Sequence, residues 1–336
     1  MLRGGVILPA MKYALTFLAL GCAMQAAPAA DTWRDASPHR SGIVEANGIR
    51  LHYLDWGGSG QPVVFLAGLG NTAHVFDTLA PTFAKQFHAI GMTRRGFGQS
   101  DRPDTGYDVP TRVADLAAFL DALKIEKAIL IGHSLAGDEL AAFAMAHPAR
   151  VIKLVFLDAA YDRSTAPPDL RALESVMIAS FIAKTPKLPP DATPIELDLS
   201  RGKARFGRLW NESLEAEARE NYERASDGQM KRRKMPPVEA LREGTKVAKL
   251  DYAKLASPSL VFFSVDNLLN DIPAEKHEEV KDAVRTYRSY QERQITLLKN
   301  NPHAQVVVLP GANHYCWFDR GDEVVSATMK FLNAKP

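Results

Sequence analysis

Apolar residues follow two alternating patterns along this 336-residue chain. Short, almost wholly apolar runs occur at residues 63–66, 128–131, 151–157, 260–265 and 306–309. They are too short for helices and suit strands buried on both faces. Residues 49–56 instead alternate in character after an Asn47-Gly48 turn, which predicts an antiparallel edge strand, and 88–91 is a further strand candidate. Between the runs, apolar residues return at helical spacing. Val75, Phe76, Leu79, Phe83 and Phe87 predict one helix. Val113, Leu116, Ala117, Leu120 and Leu123 share a face of a second, 112–123, with Thr111 as its cap. Further helices are expected at 134–147, stopping at Pro148, at 274–299 and at 322–333.

Alternating strand and helix is the pattern of an α/β fold, a mostly parallel sheet with helices on both faces. It is interrupted once. Residues 161–256 are rich in Pro, Arg, Lys and Glu, with helical stretches and no convincing strand. This stretch reads as a helical cap inserted over the strand ends, where such sheets bind ligands. The expected organisation is therefore a segment 1–30 outside the fold, a core made of 31–160 and 257–336, and a cap at 161–256.

The first thirty residues do not follow the core pattern. Lys12 precedes an apolar run from Tyr13 to Ala23 and small residues through Ala30, with Ala27-x-Ala29 as a cleavage site. That is a signal peptide for export to the periplasm or medium, and the run is short for a membrane span, so no stable membrane insertion is expected after cleavage. Translation can start at Met1 or Met11. A second reading makes Cys22 a lipid-attachment site. If Cys22 is removed, Cys316 is the one remaining thiol and no internal disulfide can form. Charge adds little: 41 Lys and Arg face 39 Asp and Glu, and the surplus pair, Arg3 and Lys12, lies before residue 31. No electrostatic footprint for nucleic acid remains, and the oligomeric state is left open.

Chemistry concentrates at Gly132-His133-Ser134-Leu135-Ala136-Gly137, between a strand and a helix. A strand turning directly into a helix leaves no room for side chains beside its apex. Small residues there let Ser134 sit on a strained turn with its hydroxyl exposed, as a nucleophile requires. The same turn sets the Leu135 N–H at a helix N-terminus, where an oxyanion would form. A second oxyanion donor is expected from Ala67-Gly68-Leu69-Gly70, with Leu69 N–H the choice. A serine hydroxyl needs a base. Of the nine histidines, His314 sits in a loop directly after a late core strand. His133 is held by the turn; His39, His277 and His303 read as solvent-exposed; His52, His74 and His88 read as structural, with His74 near enough in sequence to line the pocket. No His/Cys/carboxylate spacing resembles a metal site.

Gly68-Leu-Gly, Thr93-Arg-Arg-Gly-Phe-Gly-Gln-Ser-Asp-Arg-Pro103, Gly132-His-Ser-Leu-Ala-Gly and Gly311-Ala-Asn-His314 stand in the order and spacing of the α/β-hydrolase superfamily. The resemblance runs from about residue 43 to the C-terminus and is weakest in the cap. It is to the branch holding small-molecule esterases, C–C hydrolases, epoxide hydrolases and haloalkane dehalogenases; Ser134 argues against the last two, which carry an aspartate there. Ala136 departs mildly from the second glycine of the G-x-S-x-G pattern. The resemblance implies a triad acid after the strand at 260–265, but Ser264-Val265-Asp266-Asn267 lacks the usual glycine, and Asn267 falls on the usual position. Asp158, at the end of 151–157, is the other candidate, so Asp158 and Asp266 both stand. Either would hold the imidazole in the right tautomer.

Other residues have plainer readings. Arg94 and Arg95 brace the loop before Gly96, Lys231–Lys234 form a solvated face, and Asp138 and Glu139 answer the helix dipole. Cys316 and Trp317 lie near His314 in sequence, and Phe181, Phe206, Trp210 and Tyr222 are cap aromatics able to shape an apolar site. The expected activity is acyl transfer from a small uncharged carboxylic ester, with no cofactor and no metal. The alternatives are an aminopeptidase or amidase, for which Glu196, Asp198, Glu212 and Glu215 are candidate amine ligands, and a sensor that keeps the fold as a small-molecule pocket.

Overall fold

An eight-stranded sheet organises the molecule. The computed structural model describes residues 33–168, 170–245, 250–265 and 272–334. Residues 1–30, expected as a signal peptide and containing Cys22, lie outside them, as does Asp266. Residues from Asp35 onward form one compact unit. Its strands are β1 (Arg40–Ala46), β2 (Ile49–Gly57), β3 (Pro62–Leu66), β4 (His88–Thr93), β5 (Ala128–His133), β6 (Val151–Leu157), β9 (Ser259–Val265) and β10 (Ala304–Pro310); β7 (Tyr222–Arg224) and β8 (Met230–Arg232) pair separately as a small hairpin. The sheet order is β1-β2-β4-β3-β5-β6-β9-β10; β2 runs antiparallel to both its neighbours, β1 and β4, and every other pairing is parallel.

The apolar runs form the centre of this sheet for the reason their composition implied. Along β3, Val64 and Leu66 face one core while Val63 and Phe65 face the other; β5, β6 and β9 divide in the same way. With side chains alternating between faces, only a wholly apolar strand can bury both. On the first face pack the helices α2 (Val109–Ala122), α3 (Ala136–Ala146) and the long helix His277–Lys299. On the second pack α1 (Ala80–Phe83) and the closing helix Gly321–Asn333. Each large side chain fully buried this way contributes about 1.5–3 kcal/mol. Among the described residues, no helix is long and apolar enough to cross a membrane.

Four expectations need correction. β2 is not the edge strand, because β1 pairs along its outer side from Arg40 opposite Asp55 to Ala46 opposite Ile49. β1 is half-exposed and polar, so its pattern was hidden. The turn joining them is the expected one: Asn47 and Gly48 both have positive φ, 50° and 74°, as a two-residue hairpin turn demands. The single helix expected through Val75–Phe87 is broken into a 3₁₀ turn, Ala73–Phe76, and the short α1, whose Pro81 can only enter at a helix start. Asp108, not Thr111, caps α2: its carboxylate accepts the Thr111 N–H at 2.9 Å, and Pro110 occupies the first turn. Finally, the insertion between β6 and β9 is not purely helical. It holds α4 (Leu170–Lys184), α5 (Pro194–Phe206), α6 (Glu212–Glu220) and α7 (Val238–Thr245), with β7 and β8 forming the hairpin between α6 and α7.

Sheet order also sets where a sheet of this kind binds its ligands. From β3 the chain moves outward to β4, then crosses back over β3 to β5. The loops leaving β3 and β5 therefore diverge, opening a crevice at their carboxyl ends. Beneath it, Glu139 of α3 lies 3.1 Å from Arg94 and 2.7 Å from Arg112, all three buried. Asp138 is also buried and pairs with Arg163 at 3.2 Å. These acids hold α3 in place by ion pairing, a stronger role than the dipole reading gave them. Arg95 braces its loop as expected, through two bonds of 2.5 and 2.6 Å to Asp115. Replacing Glu139 by Gln removes the carboxylate that pairs directly with two buried guanidinium groups. We expect a loss of about 3–5 kcal/mol in urea unfolding, against a change below about 0.5 kcal/mol for the exposed Glu278→Gln.

Candidate active site

β5 ends at His133, and α3 begins at Ala136. Ser134 makes the reversal with φ of 54°, a left-handed conformation that costs a non-glycine residue about 1–3 kcal/mol. Its neighbours show why the flanking positions are small. A side chain on Gly137 would run into the carbonyl of Ala159, and one on Gly132 would meet Leu140 and Ala136. Ala136 is itself fully buried, so a methyl group is accommodated there. No side chain caps the start of α3; its Gly137 and Asp138 N–H groups donate instead to the Ser134 and Leu135 carbonyls, at 3.0 and 3.3 Å.

Asp158 stands at the end of β6, two strands from where His314 leaves β10, and it too is left-handed, with φ of 48°. His314 Nδ1 lies 2.6 Å from Asp158 Oδ2. A carboxylate there fixes the tautomer: Nδ1 carries the proton and Nε2 is left as the basic nitrogen. Asp158 Oδ1 accepts the Tyr161 hydroxyl at 2.6 Å and the Ser264 N–H at 3.1 Å. Burial, then the adjacent Asp158 charge, holds the Tyr161 phenol well above its ordinary range, so it remains a donor. Gln291 supports this set from behind, donating to Tyr161 at 3.2 Å and to the Ser264 carbonyl at 2.9 Å. Asp158 is nearly buried, whereas the His314 side chain is 41% exposed. The imidazole can thus meet a ligand while its partner stays dry.

His133 links the elbow to the histidine loop. Its Nε2 donates to the His314 carbonyl at 3.1 Å, and its ring lies 4.5 Å from that of His314 and 4.6 Å from that of Tyr315. Burial, then the neighbouring His314, pushes its basicity well below the ordinary value, so the ring is neutral. Gly68 approaches from β3: a side chain there would stand about 3.0 Å from His133 Nδ1 and 3.1 Å from Ser134 Cβ. Bare backbone is therefore needed for Leu69 to follow beside the elbow. Among the described residues, neither the Leu69 nor the Leu135 N–H donates to a backbone acceptor.

The insertion meets the loops after β3 and β10 through Glu217 and Arg205, which the sequence did not single out, and through the cap aromatic Phe206. Asn71 Oδ1 accepts the Tyr315 hydroxyl at 3.1 Å, and its amide donates to Glu217 on α6. Burial of the Glu217 carboxyl, only partly offset by Asn71, Arg205 and His74, raises its pKa to about 8. Phe206 packs edge-on against Tyr315 at 5.1 Å, and the Arg205 guanidinium lies over Phe206 and Tyr315 at 5.1 and 5.8 Å. Of the other aromatics, Trp210 and Phe181 flank this group, whereas Tyr222 belongs to the insertion's own core and bonds Asp198 at 2.6 Å. Three of the four candidate amine ligands are otherwise employed: Glu196 closes a capping box with Thr193, Asp198 also meets Arg232, and Glu215 pairs with Arg219; Glu212 is exposed in the first turn of α6. Cys316 and Trp317 are core residues. Asp266, the other acid candidate, is outside the described residues.

One further cluster lies at the turn after β3, beyond the Ala67–Gly70 loop. His39, expected in solvent, has a side chain only 9% exposed, and it meets His74, Asp77 and Asp35. No spacing in the sequence joins these four, since 35 residues separate the two pairs.

A family model for the alpha/beta hydrolase fold matches residues 61–320. The non-heme chloroperoxidase of Streptomyces lividans is 40% identical over 158 residues, 46% of this chain and 50% of that protein; the chain thus spans half the length of that relative. The 2-(acetamidomethylene)succinate hydrolase of Mesorhizobium japonicum is 26% identical over 285 residues, 82% of this chain and 90% of that protein. Among solved structures, E-2-(acetamidomethylene)succinate hydrolase superposes with a TM-score of 0.64 at 24% identity, covering 88% of this chain and all of the other. That likeness is one of fold.

The Glu217 carboxyl gives a pH test of this packing. The unfolded chain releases this proton near pH 4.5, while the folded chain keeps it to about pH 8. Between those values the folded state binds more protons, so this group lowers stability as pH rises. Glu217→Gln keeps the acceptor for Asn71 and removes the ionisation. We expect its stability gain over the parent protein to be small below pH 4.5, to grow through the window at up to about 1.4 kcal/mol per pH unit, and to level above pH 8. Urea titrations at several pH values measure it; a gain independent of pH would show that Glu217 is ionised in the fold.

Proposed function

This chain belongs to the alpha/beta hydrolase fold family, and from that premise we propose that it is a serine hydrolase working by acyl transfer on a small uncharged carboxylic ester. The observation that carries this reading is the 2.6 Å contact between His314 Nδ1 and the buried Asp158, at the same sheet edge as the strained Ser134 elbow. Ser134 attacks the ester carbonyl while His314 Nε2 takes its proton. Asp158 stays ionised and stabilises the imidazolium. The Leu69 and Leu135 N–H groups hold the oxyanion of the tetrahedral intermediate. His314 then returns the proton to the departing alkoxide, leaving an acyl-Ser134. A water molecule, deprotonated by the same nitrogen, releases the carboxylic acid and restores the serine.

A second reading, amide hydrolysis on an anionic substrate, draws on two observations. The relative that aligns with 82% of this chain, at 26% identity, is named a 2-(acetamidomethylene)succinate hydrolase. The cationic Arg205 lies over Phe206 and Tyr315, beside His314, where it can receive a carboxylate.

Hydrolysis of a chain-length series of neutral chromogenic esters separates the two. Under the ester reading, Ser134→Ala abolishes turnover, and Asp158→Asn lowers kcat by about 10⁴-fold with little change in KM. Equal rates in the parent and Ser134→Ala proteins would remove Ser134 as the nucleophile. Preference for a carboxylate-bearing acetamide, with KM raised by Arg205→Ala, would move the assignment to amide hydrolysis.

A further inference from the structure

We propose that Asp35, His39, His74 and Asp77 form a site for one tetrahedrally coordinated divalent cation of the zinc class. One donor atom from each of the four lies within 4.8 Å of the others. His74 Nδ1 is 3.4 Å from Asp35 Oδ2 and 2.8 Å from Asp77 Oδ2, and His39 lies 3.4 Å from Asp35 Oδ2 and 3.3 Å from Asp77 Oδ1 through its two ring nitrogens. Four ligands bound at about 2.0–2.2 Å sit about 3.4 Å apart along the edges of a tetrahedron. An imidazole gives one nitrogen to an ion; with His39 Nδ1 as that atom, its 3.3 Å contact with Asp77 Oδ1 and the 3.4 Å contact of His74 Nδ1 with Asp35 Oδ2 match that spacing, which is long for a hydrogen bond.

The orphaned atoms point the same way. Asp35 Oδ2 and His39 Nδ1 are buried and have no hydrogen-bond partner, although each lies within 3.4 Å of a polar neighbour. The atoms turned away from the centre are held. Asp35 Oδ1 accepts the Ser37 N–H at 2.9 Å and His74 Nε2 faces Glu220 at 3.7 Å, while the ligand oxygen Asp77 Oδ1 is itself fixed by the Trp56 indole N–H at 2.9 Å. A carboxylate behind a ligating imidazole is the usual outer support of a metal-bound histidine. Among the described residues, each ion-pair partner of Asp35 and Asp77 is a histidine. As ligands, two neutral imidazoles and two carboxylates would carry a charge of −2, which a divalent cation neutralises. Two histidines with two carboxylate oxygens also form a donor set that suits zinc.

The site would tie the segment before β1 to the 3₁₀ turn after β3, the turn that follows the Leu69 loop. Asp35 and His39 are partly exposed, which gives an ion a route in from solvent. The cation here is structural and takes no part in the acyl-transfer steps, so the proposal does not rest on the esterase reading.

The test is titration of the tag-free full chain, first stripped with a chelator, with zinc chloride alone in a calorimeter. The expected result is one equivalent bound, with Tm rising as zinc saturates the folded state. Cobalt(II) in place of zinc should give the intense visible absorption of a tetrahedral ion. Asp35→Asn and His39→Ala should each weaken binding by more than about 100-fold, the upper end of what loss of a mere outer-sphere partner costs. No saturable binding, or unchanged affinity in both variants, would overturn the proposal. If a variant fails to fold, the imidazole ¹⁵N resonances of His39 and His74 in the unaltered chain decide. Both must shift on adding one equivalent of zinc, and static resonances would exclude these ligands.

Discussion

Much of the site depends on one carboxylate. Asp158 accepts from Tyr161 in the loop after β6, from the Ser264 backbone in β9, and meets His314 after β10. Three segments far apart in sequence are thereby referred to a single pair of oxygens. Burying a charge in this way is costly unless its lone pairs are satisfied, and here the nearby Tyr161 and Ser264 donors satisfy one oxygen and leave the other to His314. The left-handed conformation of Asp158 is the local strain that this arrangement sustains. Because Gln291 fastens both Tyr161 and Ser264, the helix His277–Lys299 also bears on how His314 is oriented.

The insertion is tied into the core through α6. Ser213 donates to the His74 carbonyl, Glu217 accepts from Asn71, and Glu220 meets His52 at 2.7 Å. These three contacts fall at positions 213, 217 and 220, spaced to share one helical face. That face lies against the turn following the proposed oxyanion loop. A shift of α6 would therefore be transmitted to Asn71 and Tyr315, next to the proposed base. The Asp35–His39–His74–Asp77 cluster abuts the same turn from the opposite direction, so this short segment is braced by both the insertion and the chain before β1.

The core strands were legible in the sequence because burial on both faces allows only apolar residues, and the runs at 151–157 and 260–265 correspond closely to β6 and β9. The elbow was legible for a steric reason: Gly132, Ala136 and Gly137 are positions where larger side chains meet Leu140, Ala159 or each other. β1 was not legible, since a half-exposed edge strand carries no such restriction. Nor was the broken helix after β3, where a run of buried aromatics at helical spacing is interrupted by Pro81.

The sequence by itself determined the alternation of layers, the position of Ser134 on a strand-to-helix turn, and His314 as the histidine after a late strand. These are consequences of local sterics and of periodicity, which neighbouring residues encode. Tertiary structure alone decided that Asp158 meets His314, that Glu217 reaches Asn71, and that His39 and Asp35 close on His74 and Asp77. Each of those contacts joins segments separated by 35 to 156 residues. Their existence depends on strand order and on the reach of loops from one sheet edge, quantities that no stretch of sequence contains.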